Sequence, residues 1–305
     1  MKVNSSNEWD TLKEIIVGTA TNANWPSNDP VFAEESKKTS WKETPVPSGP
    51  VPQWIVDETN EDLEDLCSTL KQAGVVVYRP KNLDFPKIGG MYNYCPRDRF
   101  LIAGDHVVDP AMMYPCRDLE IQALHDLVDH APYYFMPRHE GMTLDAANVC
   151  RLDDTWLYLE SWSGNHEAYE WLCEKFPNIT IEKVNFYSGV HIDSTVVPLG
   201  HRTVMLNAER VKPDQVPDCL KDWRIIWICD QNIIPQPFYQ YPYASKWIGM
   251  NCLNIDPDTV IVEESQWKLI KIIESAGYTV VPQRLRHSRT LGGGFHCVTL
   301  DTCRE

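Results

Sequence analysis

Two stretches near opposite ends of the chain share one design, and that repetition limits the fold more than any single motif. "LEDLCSTLKQAGVVVYRP", Leu63 to Pro80, spaces its leucines along one helical face, stops at Ala73 and Gly74, and continues as a β-branched strand. "WKLIKIIESAGYTVVPQ", Trp267 to Gln283, repeats this with Ala276, Gly277 and Pro282 in matching places. "EAYEWLCEKFPNITIEKV", Glu167 to Val184, is a weaker copy in which Phe176 and Pro177 replace the Ala-Gly stop. Between them lie short apolar strands of fully buried character: "RFLIAGDHVV", "TWLYLES", "RTVMLNAERV", "RIIWICD" and "TVIVEES". About five repeats of a strand-rich unit with one helix, roughly forty to sixty residues each, argue for radial or stacked repetition. A doubly wound parallel sheet is the competing α/β arrangement, because alternating strands and helices are its signature too.

Bulk properties narrow the function. The 305 residues are 43% hydrophobic, enough for a large core in one domain or two. A net charge of −15 argues against nucleic acid or an anionic membrane as a partner. No stretch reaches the roughly 20 apolar residues that span a bilayer. The opening "MKVNSSNEWDTLKEIIVG" resembles neither a secretion signal nor a transit peptide, so a cytoplasmic location is expected. The ten cysteines form no C-x-x-C pair, which disfavours structural zinc and leaves most of them as reduced packing residues. No G-x-G-x-x-G or P-loop glycine pattern follows a strand, so no nucleotide cofactor is expected, nor any other. The prolines, serines and charges from Trp25 to Trp54 predict a long loop without regular structure over most of its length.

Four polar sites interrupt apolar surroundings. Asp98 follows Arg97 in "MYNYCPRDRFLIAG", and Asp145 lies in "EGMTLDAANVCRL". His191 and Asp193 alternate in "FYSGVHIDSTVVPLG", and strand alternation would turn both to one face. In "LGGGFHCVTLDT", Gly292, Gly293 and Gly294 run into Cys297. Each has a plain structural explanation: a turn or cap for Asp98, an N-cap for Asp145, a sheet-edge pair for His191 and Asp193, a loop beside a buried thiol. No third ligand accompanies the His/Asp pair, so a metal is not expected. Together the four sites supply a nucleophile, an imidazole base and carboxylates able to hold a cation.

These motifs resemble the amidinotransferases, relatives of glycine amidinotransferase within the guanidino-group-modifying superfamily. "NEWDTLKEIIVGTATNA", "CPRD" ending in Asp98, "DAAN" from Asp145, "HIDST" from His191, "SKWIGMN" from Ser245 and "LGGGFHCVT" stand in the family's order along nearly the whole chain. The resemblance implies an α/β propeller of five pseudo-symmetric ββαβ modules, a single domain over residues 1–305, and a homodimer. It implies that Cys297 attacks the guanidinium carbon of L-arginine, releasing ornithine and leaving an amidino group on sulfur. It makes His191 the general acid-base residue, oriented by Asp145, while Asp98 and Asp193 grip the guanidinium. Arg210 and Ser245 would hold the donor's carboxylate. A thiol with pKa near 8.5 is only a few per cent ionised at neutral pH, so the bound cation would have to favour the thiolate. The glycine run would let the backbone pass close to a flat guanidinium in a narrow channel.

The chain also departs from the family. Glycine-using members carry asparagine and methionine where Ser188 and Val190 stand, and Ala244 replaces the first of two serines. The stretch from Asp98 to Asp145 is shorter than in the vertebrate-type enzyme. A larger acceptor amine than glycine is therefore expected, in natural-product, toxin or other guanidino-compound biosynthesis; inosamine phosphates, lysine and toxin-pathway amines are candidates. No phosphate-binding cluster is evident, which disfavours the first. Two alternatives stand beside the transferase: a guanidino hydrolase of the arginine deiminase type, using water in place of an amine, and a non-catalytic propeller used for binding.

Overall fold

The computed structural model describes residues 1–26, 29–38 and 46–305. The helix–stop–strand units form as their sequences require. Helices Gln53–Gln72 and Trp267–Ser275 each end at an Ala-Gly pair whose glycine takes positive φ, +83° at Gly74 and +106° at Gly277. That conformation is cheap only without a Cβ, and it turns the chain back into strands Val76–Tyr78 and Thr279–Gln283.

Among the described residues these units sit in five three-stranded sheets of one pattern, in which the middle strand has an antiparallel neighbour on one side and a parallel one on the other. The first joins Thr299–Arg304, Leu12–Val17 and Val76–Tyr78, so the two ends of the chain complete one sheet. The second joins Leu101–Ala103, His106–Asp109 and Tyr133–Phe135. The third joins Val149–Leu152, Thr155–Leu159 and Thr180–Val184. The fourth joins Val196–Leu199, Thr203–Asn207 and Arg224–Ile228, and the fifth Leu253–Asp256, Thr259–Glu263 and Thr279–Gln283. The fold is α/β. The parallel third strand requires a crossover, and an α-helix supplies it in four of the five sheets: Gln53–Gln72, Ile121–Val128, His166–Lys175 and Trp267–Ser275.

Three expectations change. The fourth crossover is not an α-helix but two 3-10 turns, Pro213–Gln215 and Asp218–Leu220, each preceded or opened by a proline that interrupts helical hydrogen bonding. "RFLIAGDHVV" is a hairpin and not one strand, reversing at Gly104 with φ +63°. The segment expected to be irregular between Trp25 and Trp54 carries the helix Pro30–Lys38, capped by buried Asp29, whose Oδ1 accepts from the N–H groups of Val31 and Phe32. Residues 27, 28 and 39–45 of that segment lie outside the described residues. No helix among the described residues is long and apolar enough to cross a membrane.

Candidate active site

The sheets deliver polar side chains to one buried space. Cys297 lies between helix Ser288–Leu291 and strand Thr299–Arg304, and is 2% exposed. Its thiol donates to Asp193 Oδ2 at 3.1 Å, and its backbone N–H donates to Asn251 Oδ1 at 3.0 Å. Asn251 also reaches the Asp193 carbonyl with Nδ2 at 3.3 Å, so one amide from "SKWIGMN" ties the backbones of Cys297 and Asp193 together.

His191 and Asp193 do share this space, but not through strand alternation. His191 has φ +58°, and residues 192–195 form a turn in which the Ile192 carbonyl accepts from Thr195 N–H (2.8 Å) and Val196 N–H (3.0 Å). The strand begins only at Val196. His191 Nε2 lies 3.0 Å from Asp145 Oδ2, and Nδ1 lies 3.7 Å from Asp98 Oδ1. Asp145 Oδ1 accepts from the Met113 N–H at 2.8 Å, fixing the carboxylate against the imidazole. Asp98 Oδ2 accepts from Arg117 at 2.7 Å, while its buried Oδ1 has no hydrogen-bond partner.

The charges are strongly coupled to burial. Burial pulls His191 down, but Asp98 and then Asp145 outweigh it and hold the imidazole up at about 9. Burial raises Asp145, yet its bond to His191 leaves it below the usual carboxylate range. Asp193 is likewise raised by burial and brought well below that range by His296, whose Nδ1 is 3.0 Å from Oδ2. Burial, then the charges of Asp193, Cys95 and Asp98, push the Cys297 thiol well above its ordinary value. The substrate-free site therefore favours the protonated thiol.

Arg210 joins the same turn from the fourth sheet. It donates to Thr195 Oγ1 (2.8 Å), Ser194 Oγ (3.1 Å) and Ser245 Oγ (3.3 Å), with its guanidinium 4.5 Å from the Tyr187 ring centre. Ser188 and Val190 are exposed on the loop that leads into His191. All nine residues singled out from sequence thus lie in or beside one region. The glycine run behaves differently from its expectation, because its close neighbours are protein atoms. A Cβ on Gly293 would lie 2.5 Å from Cys95 Sγ and 3.2 Å from Cys297 Cβ; one on Gly294 would lie 2.6 Å from Asn251 Cβ. The run makes room for the groups that hold the thiol.

Sequence reasoning passed over His296, Arg117 and Asn251. His296 bridges Asp193 and Glu8, with Nε2 3.1 Å from Glu8 Oε2. Its only sequence signal was adjacency to Cys297. Arg117 lies in "YPCRD", with nothing local to mark it. No cluster of His, Cys, Asp and Glu among the described residues has the arrangement of a metal site.

No protein-family model matches the chain. It is 37% identical to inosamine-phosphate amidinotransferase 1 of Streptomyces glaucescens, over 99% of this chain and 97% of that protein. A solved inosamine-phosphate amidinotransferase from Streptomyces griseus superposes with TM-score 0.90 at 34% identity, covering 99% and 97% of the two chains. An amidinotransferase of the saxitoxin biosynthetic pathway from Microseira wollei superposes with TM-score 0.87 at 28% identity, covering 99% and 97%. These full-length relatives are amidinotransferases, a class of transferase. The chain belongs to the amidinotransferase family.

Proposed function

We propose that this enzyme takes the amidino group of L-arginine onto Cys297 and passes it to a primary amine, releasing ornithine. The observation that carries the reading is the pairing of two buried carboxylates on one space: Asp193 against the thiol, and Asp98 with an oxygen that no protein donor satisfies. A desolvated guanidinium needs such partners, since it stays charged and presents donors in a planar fork. Its arrival inverts the electrostatics at sulfur, replacing net negative surroundings by a cation, so the thiolate forms with the substrate in place.

Sγ then attacks the guanidinium carbon, and the carbon–nitrogen bond to ornithine breaks. His191, charged near neutral pH, gives its proton to the departing amine. Asp145 holds the ring and stabilises its charged form. An acceptor amine next attacks the same carbon, the neutral imidazole takes the proton this amine loses, and the carbon–sulfur bond breaks. Arg210 with Ser245 holds the donor's carboxylate, and Ser188 and Val190 face the acceptor's approach. The five sheets of one pattern stand around the site as blades of a single propeller domain.

Arginine supplied without acceptor tests the scheme. The expected result is a burst of ornithine equal to the enzyme concentration, followed by almost no turnover. Continuous citrulline formation would instead make the protein a hydrolase, and no product at all would make it a binding module.

A further inference from the structure

His191 stands between two carboxylates, Asp145 at one ring nitrogen and Asp98 at the other, and a single connecting segment braces both. Met113 donates its N–H to Asp145 Oδ1, and further along Arg117 donates Nη1 to Asp98 Oδ2 at 2.7 Å. Arg117 and Glu120 belong to the 3-10 helix Pro115–Glu120, where positions three apart stand above one another. Their side chains meet along one whole edge of the guanidinium: Nε lies 2.8 Å from Glu120 Oε1, and Nη2 3.0 Å from Oε2. Nη2 also reaches the Cys95 carbonyl at 3.2 Å, and the guanidinium carbon stands 5.2 Å from the Tyr92 ring centre. Asp98, Arg117 and Glu120 are all buried.

The division of these contacts is unequal. A guanidinium and a carboxylate match best as a fork of two parallel bonds. Glu120 receives that fork, whereas Asp98 receives one nitrogen and keeps Oδ1 without a hydrogen-bond partner. His191 Nδ1, 3.7 Å from that oxygen, is too far to satisfy it. Two carboxylates also share one arginine, so the bare oxygen belongs to a cluster with surplus negative charge. Without Glu120, Arg117 would be free to turn its fork onto Asp98 and take both oxygens. A protein guanidinium would then fill the contact that a substrate guanidinium needs.

We propose that Glu120 and Arg117 are positioning residues for the donor: Glu120 occupies the fork of Arg117, so that Arg117 holds Asp98 by one oxygen and leaves the other for the incoming guanidinium. The inference rests on the amidinotransferase reading above. Neither residue touches the donor; both act through Asp98. A buried carboxylate oxygen without a donor is costly, and the protein's own nearby guanidinium is the group most suited to relieve it. The Glu120 contact is what keeps that oxygen open.

The test follows the ornithine burst of the full enzyme without acceptor, at graded arginine and at pH 8, above the value of about 7 to which burial pushes Glu120. The half-saturating arginine concentration, the limiting burst rate and the thermal midpoint are read together. Glu120→Leu releases the fork, and half-saturating arginine should rise about tenfold or more, the loss of a hydrogen bond between charged groups, while the limiting rate changes less. Glu120→Gln keeps the shape and one acceptor, and should give a smaller rise of about threefold. Adding Arg117→Met to Glu120→Leu removes the competing guanidinium, so half-saturation should fall back toward the wild-type value. A merely structural pair would move the thermal midpoint and leave half-saturation unchanged in whichever of these variants folds. That result overturns the proposal, as does a further rise on adding Arg117→Met. Absence of a burst in the wild type overturns the transferase mechanism, and this inference with it. A normal wild-type burst with half-saturation indifferent to Glu120 overturns the inference alone.

Discussion

Asp98 gives Oδ2 to Arg117 at 2.7 Å while its buried Oδ1 accepts no hydrogen bond, so substitution there separates two effects. Asp98→Asn leaves Arg117 paired with Glu120 at 2.8 Å, but removes a negative charge from the guanidinium's place. Stripping one partner from a buried ion pair typically costs about 3–5 kcal/mol. Arginine kcat/KM should therefore fall by several hundredfold or more, roughly that energy at 1.4 kcal/mol per tenfold. Near-normal arginine kinetics would make Asp98 a structural partner of Arg117 only. His191 gives the pH dependence its sign. Its folded value is raised to about 9, so the charged form that protonates ornithine is present below that pH and lost as pH rises through it. The burst rate should fall along that limb, and Asp98→Asn should move the limb to lower pH. His296→Gln removes the imidazole that lies 3.0 Å from Asp193 and 3.1 Å from Glu8. Arginine KM should rise in this variant more than kcat falls, because Asp193 loses its orientation and not its charge; unchanged kinetics would confine His296 to packing. Six of the nine singled-out residues stand in the ordered motifs, while Arg210, Ser188 and Val190 stand outside them. The role of His296 was not legible, since adjacency to Cys297 says nothing about which way a ring turns.

Elements explain where local patterns misled. Val190 and Ile192 flank His191 as the apolar positions of a strand would, yet one is exposed and the other buried around a left-handed residue. Alternation fixes a face only where the backbone is extended, and a turn closed on the Ile192 carbonyl imitates the pattern over so short a run. The proline-bounded fourth crossover shows the converse: Pro213 and Pro217 were visible, but the repeat encouraged the expectation of a helix. The glycine run yields an element-scale prediction. Gly293→Ala places a methyl 2.5 Å from Cys95 Sγ, an overpacking that typically costs about 1–3 kcal/mol and shifts the loop bearing Cys297. Stability and arginine turnover should fall together, and adding Cys95→Ala should recover much of both. Recovery of stability alone would mean that substrate, and not Cys95, needs the space.

At the scale of the molecule, the repeated sheets were readable because helix and strand periods are local. Their closure was not, because pairing Leu12–Val17 with Thr299–Arg304 joins the two ends of the chain. A buried ion network secures that junction: Asp301 lies 2.5 Å from Arg97, 2.9 Å from Arg151 and 2.6 Å from Arg304. Burial raises Asp301, but these arginines hold it well below the ordinary carboxylate range. Its contribution to stability is therefore present above that range and lost as pH falls through it. Asp301→Asn should cost about 3–5 kcal/mol in urea unfolding at neutral pH and weaken the acid dependence. Such a frame holds Cys297 and its carboxylates in place without substrate, and the central claim is that this thiol carries the amidino group. Its most direct test is peptide mass analysis of enzyme quenched after mixing with arginine and no acceptor. The predicted result is one amidino group on the peptide containing Cys297, absent in Cys297→Ser. Ornithine release with Cys297 unmodified, or the adduct on Cys95 or any other cysteine, would contradict it.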